Sequence, residues 1–277
     1  MKVAIQGVMA SFHDVAAKKY FQNTEIEPVE CSSFPILFQT LQDKKVDFAI
    51  MAIENALAGS IIPNYALMEK FQFKIIGEVY LKIEMCLLAL PGEKLEDIRI
   101  VQSHPMALLQ CSEFLNTLQN IQLVEHADTA ESALEIKSKN LTHHAAIASA
   151  LAARTYGLEI LRSNIETHRS NFTRFLVLCR ESDYIRPVMA NKSSLRFEAE
   201  HLPGSLARIL NIFESHSINM SQIHSLPIIG RPYHYAFHVD LEWGDVNKYQ
   251  AALKELKSKA LELNLFGDYV AGERPIL

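Results

Sequence analysis

The sequence predicts an α/β protein of two domains, and three observations carry that reading. Over the first ~180 residues short apolar runs alternate with helix-period segments, the pattern of strands joined by crossover helices. A polar stretch over Glu181–Ser193, with Pro187 inside it, then breaks the pattern. Beyond it the order strand, helix, strand, strand, helix, strand is the ferredoxin-like βαββαβ split motif. The expected boundaries are a first domain over 1–182, a linker over 183–193 and a second domain over 194–272.

In the first domain, Lys2–Gln6 reads as a strand, and Ser11 opens a helix with Asp14 three residues on, a capping-box arrangement. Val46–Ile53 is an apolar strand ending at Glu54-Asn55. Ile75–Leu90 holds two apolar stretches around Gly77-Glu78 and is expected to cross between two lobes. Ile98–Gln102 is strand-like, and Pro105 suits the first turn of the helix carrying Leu108, Leu109 and Leu115. A loop at His143-His144 separates a helix at Thr129–Lys137 from an alanine-rich helix at Ala145–Ala153, and the strand Thr173–Cys179 closes the unit. The second domain reads as strand Ser194–Glu200, helix Gly204–Ser215, strands Ile218–Ile229 and Tyr233–Trp243, helix Lys248–Leu261 and strand Leu265–Val270.

Composition narrows the function. The 277 residues are 49% hydrophobic and 21% charged, an ordinary globular balance. A net charge of −5 and the lack of a long basic run argue against a nucleic-acid partner. No apolar run approaches the ~20 residues that span a bilayer, so no membrane association is expected. Cys31, Cys86, Cys111 and Cys179 are widely spread with no C-x-x-C pair, which argues for reduced thiols and against a zinc knuckle. Met1–Gln6 is too short and too quickly interrupted for a signal peptide, so the expected location is cytoplasmic.

Polar residues gather at several strand ends: Gly7 to Ser11, Glu54-Asn55, Ser103-His104 and Asp128-Thr129. Ligand crevices of open α/β sheets lie beyond the carboxyl ends of the strands, and helix starts there suit anions. The pattern therefore predicts a cleft for a small anion. Asn171–Phe175 sets one hydroxyl and one guanidinium among apolar neighbours at the head of a buried strand. Alternation puts Thr173 and Phe175 on one face and Arg174 on the other. Arg174 needs an anionic partner, either a structural carboxylate or a ligand.

Residue type alone would make Asn55 a turn former, Gln110 an exposed helix residue and Ser11 a cap. Asn171-Phe172-Thr173 also fits the glycosylation pattern, with nothing else to suggest secretion. His234 and His238, four apart on a strand, are expected with Asp240 on an exposed or subunit-facing surface rather than at a metal. His104 stands at a helix start, where a cleft role is open.

In their joint order these segments resemble prephenate dehydratases with a C-terminal ACT regulatory domain. Thr173-Arg174-Phe175 matches that family's TRF signature, and Ile53–Gly59 resembles its (I/L)-E-N-S-x-x-G stretch. Ser103–Cys111 resembles its S-H-P-Q-A-x-x-Q-C helix, and Ala145–Ser149 and Tyr156–Leu158 fit further blocks. Pro203–Leu206 and Ile218-Asn219 resemble the ACT domain's G-A-L turn and I-N strand. The departures are also specific. Gly7–Phe12 loses the Pro and second Gly of the opening G-P-x-G, Ala52 replaces a Pro, and Ala56 replaces a Ser. Met106 stands in place of Gln, Met85 in place of a frequent His, and His224–Pro227 in place of E-S-R-P.

The resemblance implies a two-lobed catalytic domain like type II periplasmic-binding folds, followed by a ferredoxin-like ACT domain. It implies decarboxylating dehydration of prephenate to phenylpyruvate, without metal or cofactor. Thr173, Asn55 and Gln110 would be catalytic, and Arg174, Ser11, Glu54, Ser103 and Phe175 would bind substrate. L-Phenylalanine would contact Gly204, Ser205, Leu206 and Asn219 and favour a closed, less active state of a homodimer or homotetramer. No chorismate-mutase or dehydrogenase domain fits beside the two assigned, so a monofunctional enzyme is expected. Two alternatives stand beside this reading: an arogenate dehydratase, and an inactive relative that binds a small anion or amino acid.

Overall fold

The computed structural model describes residues 1–228 and 230–275. Strands β1 (Lys2–Gln6), β2 (Glu27–Cys31), β3 (Phe48–Asn55), β4 (Gly59–Ser60) and β5 (Lys74–Lys82) all enter one sheet. The sheet runs β2-β1-β3-β11-β5, with β4 paired to β3 and with β11 spanning Phe172–Cys179. β1 is parallel to both neighbours, and its Val3, Ala4 and Ile5 are fully buried. Continuous apolar runs of this kind are what a sheet covered on both faces requires. Helices α1 (Phe12–Tyr20), α2 (Phe34–Gln42) and α3 (Ile62–Phe71) belong to this lobe.

After β5 the chain enters a second sheet at β6 (Cys86–Ala89), so Ile75–Leu90 does cross between sheets. This lobe holds β7 (Ile100–Ser103), β8 (Gln122–Glu125), β9 (His144–Ala148) and β10 (Glu159–Arg162) in the order β10-β6-β9-β7-β8. Its helices are α4 (Pro105–Gln110), α5 (Ser112–Leu115), α6 (Thr129–Lys139) and α7 (Ala150–Tyr156).

The segment expected as one helix over Ala145–Ala153 is instead a strand followed by a short helix. Ala145 to Ala148 form the centre of β9, paired with β6 and β7, and Ser149 caps the short helix that follows. All four of these residues are fully buried, so close packing on both faces outweighs alanine's helix propensity. The expected loop at His143-His144 is likewise corrected, because His144 is the first residue of β9.

Contacts divide the chain into two compact units. The first holds Met1–Phe71, Val79–Val177 and residues 273–275, and the second holds Gln72–Glu78 and Leu178–Gly272. The second unit comprises β12 (Lys192–Glu198), α8 (Ser205–Ser215), β13 (Asn219–Pro227), β14 (Tyr235–Glu242), α9 (Val246–Lys259) and β15 (Glu262–Tyr269). Its antiparallel sheet runs β13-β14-β12-β15. Leu195, Phe197, Val239 and Leu241 pack with Ile209, Phe213 and Leu256 to form its core.

β12 starts inside the expected linker, at Lys192, because its first residues pair with both β14 and β15. The expected Ile229 end of this unit's second strand lies outside the described residues. His238 and Asp240, expected on an exposed or subunit-facing surface, are buried within the unit; His238 stacks on Phe266 at 5.7 Å. Among the described residues no helix is long and apolar enough to cross a membrane.

Candidate active site

The first unit holds a cleft of about 260 Å³ where strand ends and helix starts of its two sheets converge. From the first lobe come Gln6, Phe12, His13, Ala52, Asn55, Thr173 and Phe175. From the second come Met85, His104, Met106, Gln110 and Asp128. Thr173 and Phe175 share this face and Arg174 is absent from it, as alternation along β11 dictates.

A chain of amides fixes the polarity of the cleft. Asn55 Oδ1 accepts from the backbone N–H groups of Leu57 (3.0 Å) and Ala58 (2.8 Å), which leaves its amide nitrogen as donor. That nitrogen donates to Thr173 Oγ1 at 2.9 Å and to Asn171 Oδ1 at 2.7 Å. Asn171 Nδ2 in turn donates to Gln110 Oε1 at 2.9 Å. Two backbone N–H groups thus settle an assignment that side-chain amides ordinarily leave open. The consequence is chemical. Thr173 receives a hydrogen bond and keeps its own proton for the cleft, and Gln110 keeps both amide hydrogens for it.

Ser11 is the N-cap of α1: its hydroxyl accepts from Asp14 N–H at 3.4 Å, and Asp14 Oδ2 accepts from Ala10 N–H at 2.8 Å. Ala10, where the family's opening motif has glycine, adopts φ 65°, the left-handed region. Ser103 is fully buried and donates to Ile147 O at 2.7 Å. Glu54 pairs across β3 and β4 with Ser60, outside the cleft lining. Arg174 is 4% exposed. The structure therefore brings Thr173, Asn55, Gln110 and Phe175 together, and places Ser11, Ser103, Glu54 and Arg174 behind or beside the wall.

Three further residues join them. Asn171, fully buried, was legible as the third member of the Asn171, Thr173, Phe175 face at period two. Asp128 caps α6 by accepting from Ala130 and Glu131 N–H at 2.8 and 3.0 Å, yet burial raises its carboxyl above the usual range. His13 is set edge-on to Phe175, ring centres 5.0 Å apart. Its only sequence signal is its place in the first turn after a strand end.

In the second unit, Ser205 and Leu206 line a surface concavity with Glu200, His201, Tyr235 and Phe237. Gly204 is the N-cap of α8, at φ 79°. Asn219 is the first residue of β13 and lies outside that lining.

Comparison with known proteins settles the family. The family model described as prephenate dehydratase matches residues 3–183. The chain belongs to the prephenate dehydratase family. It is 38% identical to "Arogenate dehydratase/prephenate dehydratase 1, chloroplastic" of Arabidopsis thaliana, over 97% of this chain and 72% of the relative. Among solved structures it resembles the prephenate dehydratase of Arthrobacter aurescens in complex with L-Phe, with 26% identity and a TM-score of 0.87 over 98% of this chain and 90% of that one. It also resembles GqqA, described as a novel type of quorum quenching acylase, with 29% identity and a TM-score of 0.88 over 98% of both chains. Thr173 and Phe175 of the TRF signature line this cleft, and Arg174 lies behind it.

Proposed function

We propose that this member of the family converts prephenate to phenylpyruvate, carbon dioxide and water. The observation that supports it most is the amide chain that leaves the Thr173 proton and the Gln110 amide for the cleft. In the reaction the bond from C1 to its carboxylate breaks, the electron pair enters the ring, and the C4–O bond breaks as the ring becomes aromatic. Hydroxide is a poor leaving group, so a donor aimed at C4–O is the central requirement. Thr173 supplies it as a directed hydrogen bond that strengthens as charge grows on the oxygen, with solvent completing the protonation to water.

No Lys or Arg is among the lining residues, and Phe12, Ile83, Met85, Met106 and Phe175 are apolar. A ring carboxylate held there keeps little stabilisation to lose on becoming carbon dioxide. Thr173 takes its hydrogen bond from an amide, which cannot act as a base. That suits donation to a leaving oxygen better than attack by an activated hydroxyl of acylase type.

One observation favours a second substrate. The Asp128 carboxylate in the lining suits an ammonium group, which arogenate has and prephenate lacks. Incubation with each substrate, following phenylpyruvate and phenylalanine, tests the choice. Phenylpyruvate lost in Thr173→Ala supports the proposal, phenylalanine from arogenate alone replaces it, and no turnover of either refutes both.

We also assign residues 1–182 to catalysis and the βαββαβ unit to an ACT domain. Its concavity beside Gly204, Ser205 and Leu206 would take L-phenylalanine, and pairing through edge strand β13 would give a homodimer or homotetramer. Arg174 behind the wall is proposed to act through a neighbour rather than on substrate. A cytoplasmic location accords with four buried, free cysteines. Calorimetry with L-phenylalanine and light scattering test the regulatory and oligomeric parts.

A further inference from the structure

His13 lies in the first turn of α1 and is 9% exposed. Its ring is edge-on to Phe34 at 5.5 Å and to Phe175 at 5.0 Å, and it lines the cleft. Its Nε2 is buried and has no hydrogen-bond partner among the described residues. A buried polar atom left unsatisfied costs about 1–3 kcal/mol. Packing between two phenylalanine rings would be served as well by Phe or Leu, which carry no such cost. An imidazole in this place therefore points to a ligand group that meets it.

We propose that His13 is a specificity-determining residue, its imidazole hydrogen-bonding the 2-oxo or 2-amino group on the three-carbon side chain of the bound substrate. The proposal rests on the dehydratase reading. Phe175 follows Thr173 by two residues on the same face, a step of about 6.6 Å. A ring whose C4 oxygen meets Thr173 and that lies along this face would carry C1 and its side chain toward the rings of Phe175 and His13.

Burial lowers the His13 pKa to about 3, so the ring is neutral at ordinary pH and offers one N–H and one lone pair. The N–H serves a ketone and the lone pair serves an ammonium. A lysine would reject the ammonium and a second carboxylate would reject the ketone. The imidazole thus adds no fixed charge of its own beside the Asp128 carboxylate of the same lining.

The test compares wild type with His13→Phe, His13→Gln and His13→Asn, using prephenate and arogenate, with Tm measured for each. His13→Phe should fold with an equal or higher Tm. It should lose about tenfold or more in kcat/KM on the preferred substrate, mainly in KM, and change the prephenate-to-arogenate ratio. Gln, whose amide reaches the Nε2 position, should recover part of the loss, and Asn, which reaches only Nδ1, should not.

A His13→Phe enzyme equal to wild type on both substrates overturns the proposal. So does an equal loss on both substrates with lowered Tm and no rescue by Gln, the mark of a packing role. A wild type that turns over neither substrate instead overturns the dehydratase reading, and this proposal with it.

Discussion

Asn55 Nδ2 donates a 2.9 Å hydrogen bond to Thr173 Oγ1, joining residues 118 positions apart in the chain. The same nitrogen donates to Asn171, so the orientation of Gln110 and the proton of Thr173 depend on one side-chain amide. Their coupling follows. Asn55→Ala should lower kcat by about 10²-fold, the effect of losing a donor that orients a stabilising group, with little change in KM. Asn171→Ala should cost less, and the double variant no more than Asn55→Ala alone, because residues in one network are not additive. A steady-state double-mutant cycle checks this; additive losses would show that the two amides act separately.

Acid sensitivity should trace to His13. Its pKa in the folded state, about 3, lies below its ordinary 6.5, so the unfolded chain takes up the proton first. Stability is therefore lost as pH falls from 6.5 toward 3, by about 1.4 kcal/mol per pH unit, or ~2 kcal/mol at pH 5. His13→Phe lacks this term. Urea midpoints at pH 7.5, 6 and 5 should show the variant gaining on wild type as pH falls, and a constant difference would exclude His13 as the source.

How far this was legible depends on the range of the interaction. The βαββαβ order showed because each strand alternates locally, and the Thr173 and Phe175 face followed from period two along one strand. Asn171 shares that period, but its place before the strand marks it in the sequence only as part of a motif. Ala145–Ala148 misled because alanine favours helices when nothing else decides, and its burial comes from β6 and β7, distant in sequence. The place of Gln72–Glu78 in the second unit left no local trace, since its partners lie more than a hundred residues away. Ser11 and Ser103 carry polar groups at strand ends, and the structure commits both hydroxyls to backbone bonds.

Gly267 allows one such distant approach. A Cβ built there would lie 2.3 Å from the carbonyl oxygen of Ile75, a backbone atom that cannot swing aside. Gly267→Ala should destabilise the second unit by about 1–3 kcal/mol, the cost of forcing volume into a closed contact. The cleft lies in the first unit, so kcat at low temperature should stay near wild type while Tm falls. An unchanged Tm would mean that β15 and Ile75 separate without cost.

Lys192 makes the sharpest test of the second unit's polar interior. Its ammonium lies 2.9 Å from Glu78 and 3.2 Å from Glu242, and the side chains of Lys192 and Glu78 are essentially fully buried. Removing one partner of a buried pair leaves charge behind, which costs about 3–5 kcal/mol, whereas removing both is often neutral. Lys192→Met alone should therefore lower Tm strongly, and Lys192→Met with Glu78→Gln should recover most of the loss. The carboxamide still accepts from Gly272 N–H, which Glu78 Oε1 now does at 3.0 Å. Recovery would show that the pair sets where Gln72–Glu78 docks more than how tightly the unit folds. No recovery would assign the pair a net stabilising role, because the remaining Glu242 carboxylate is partly exposed and can be solvated.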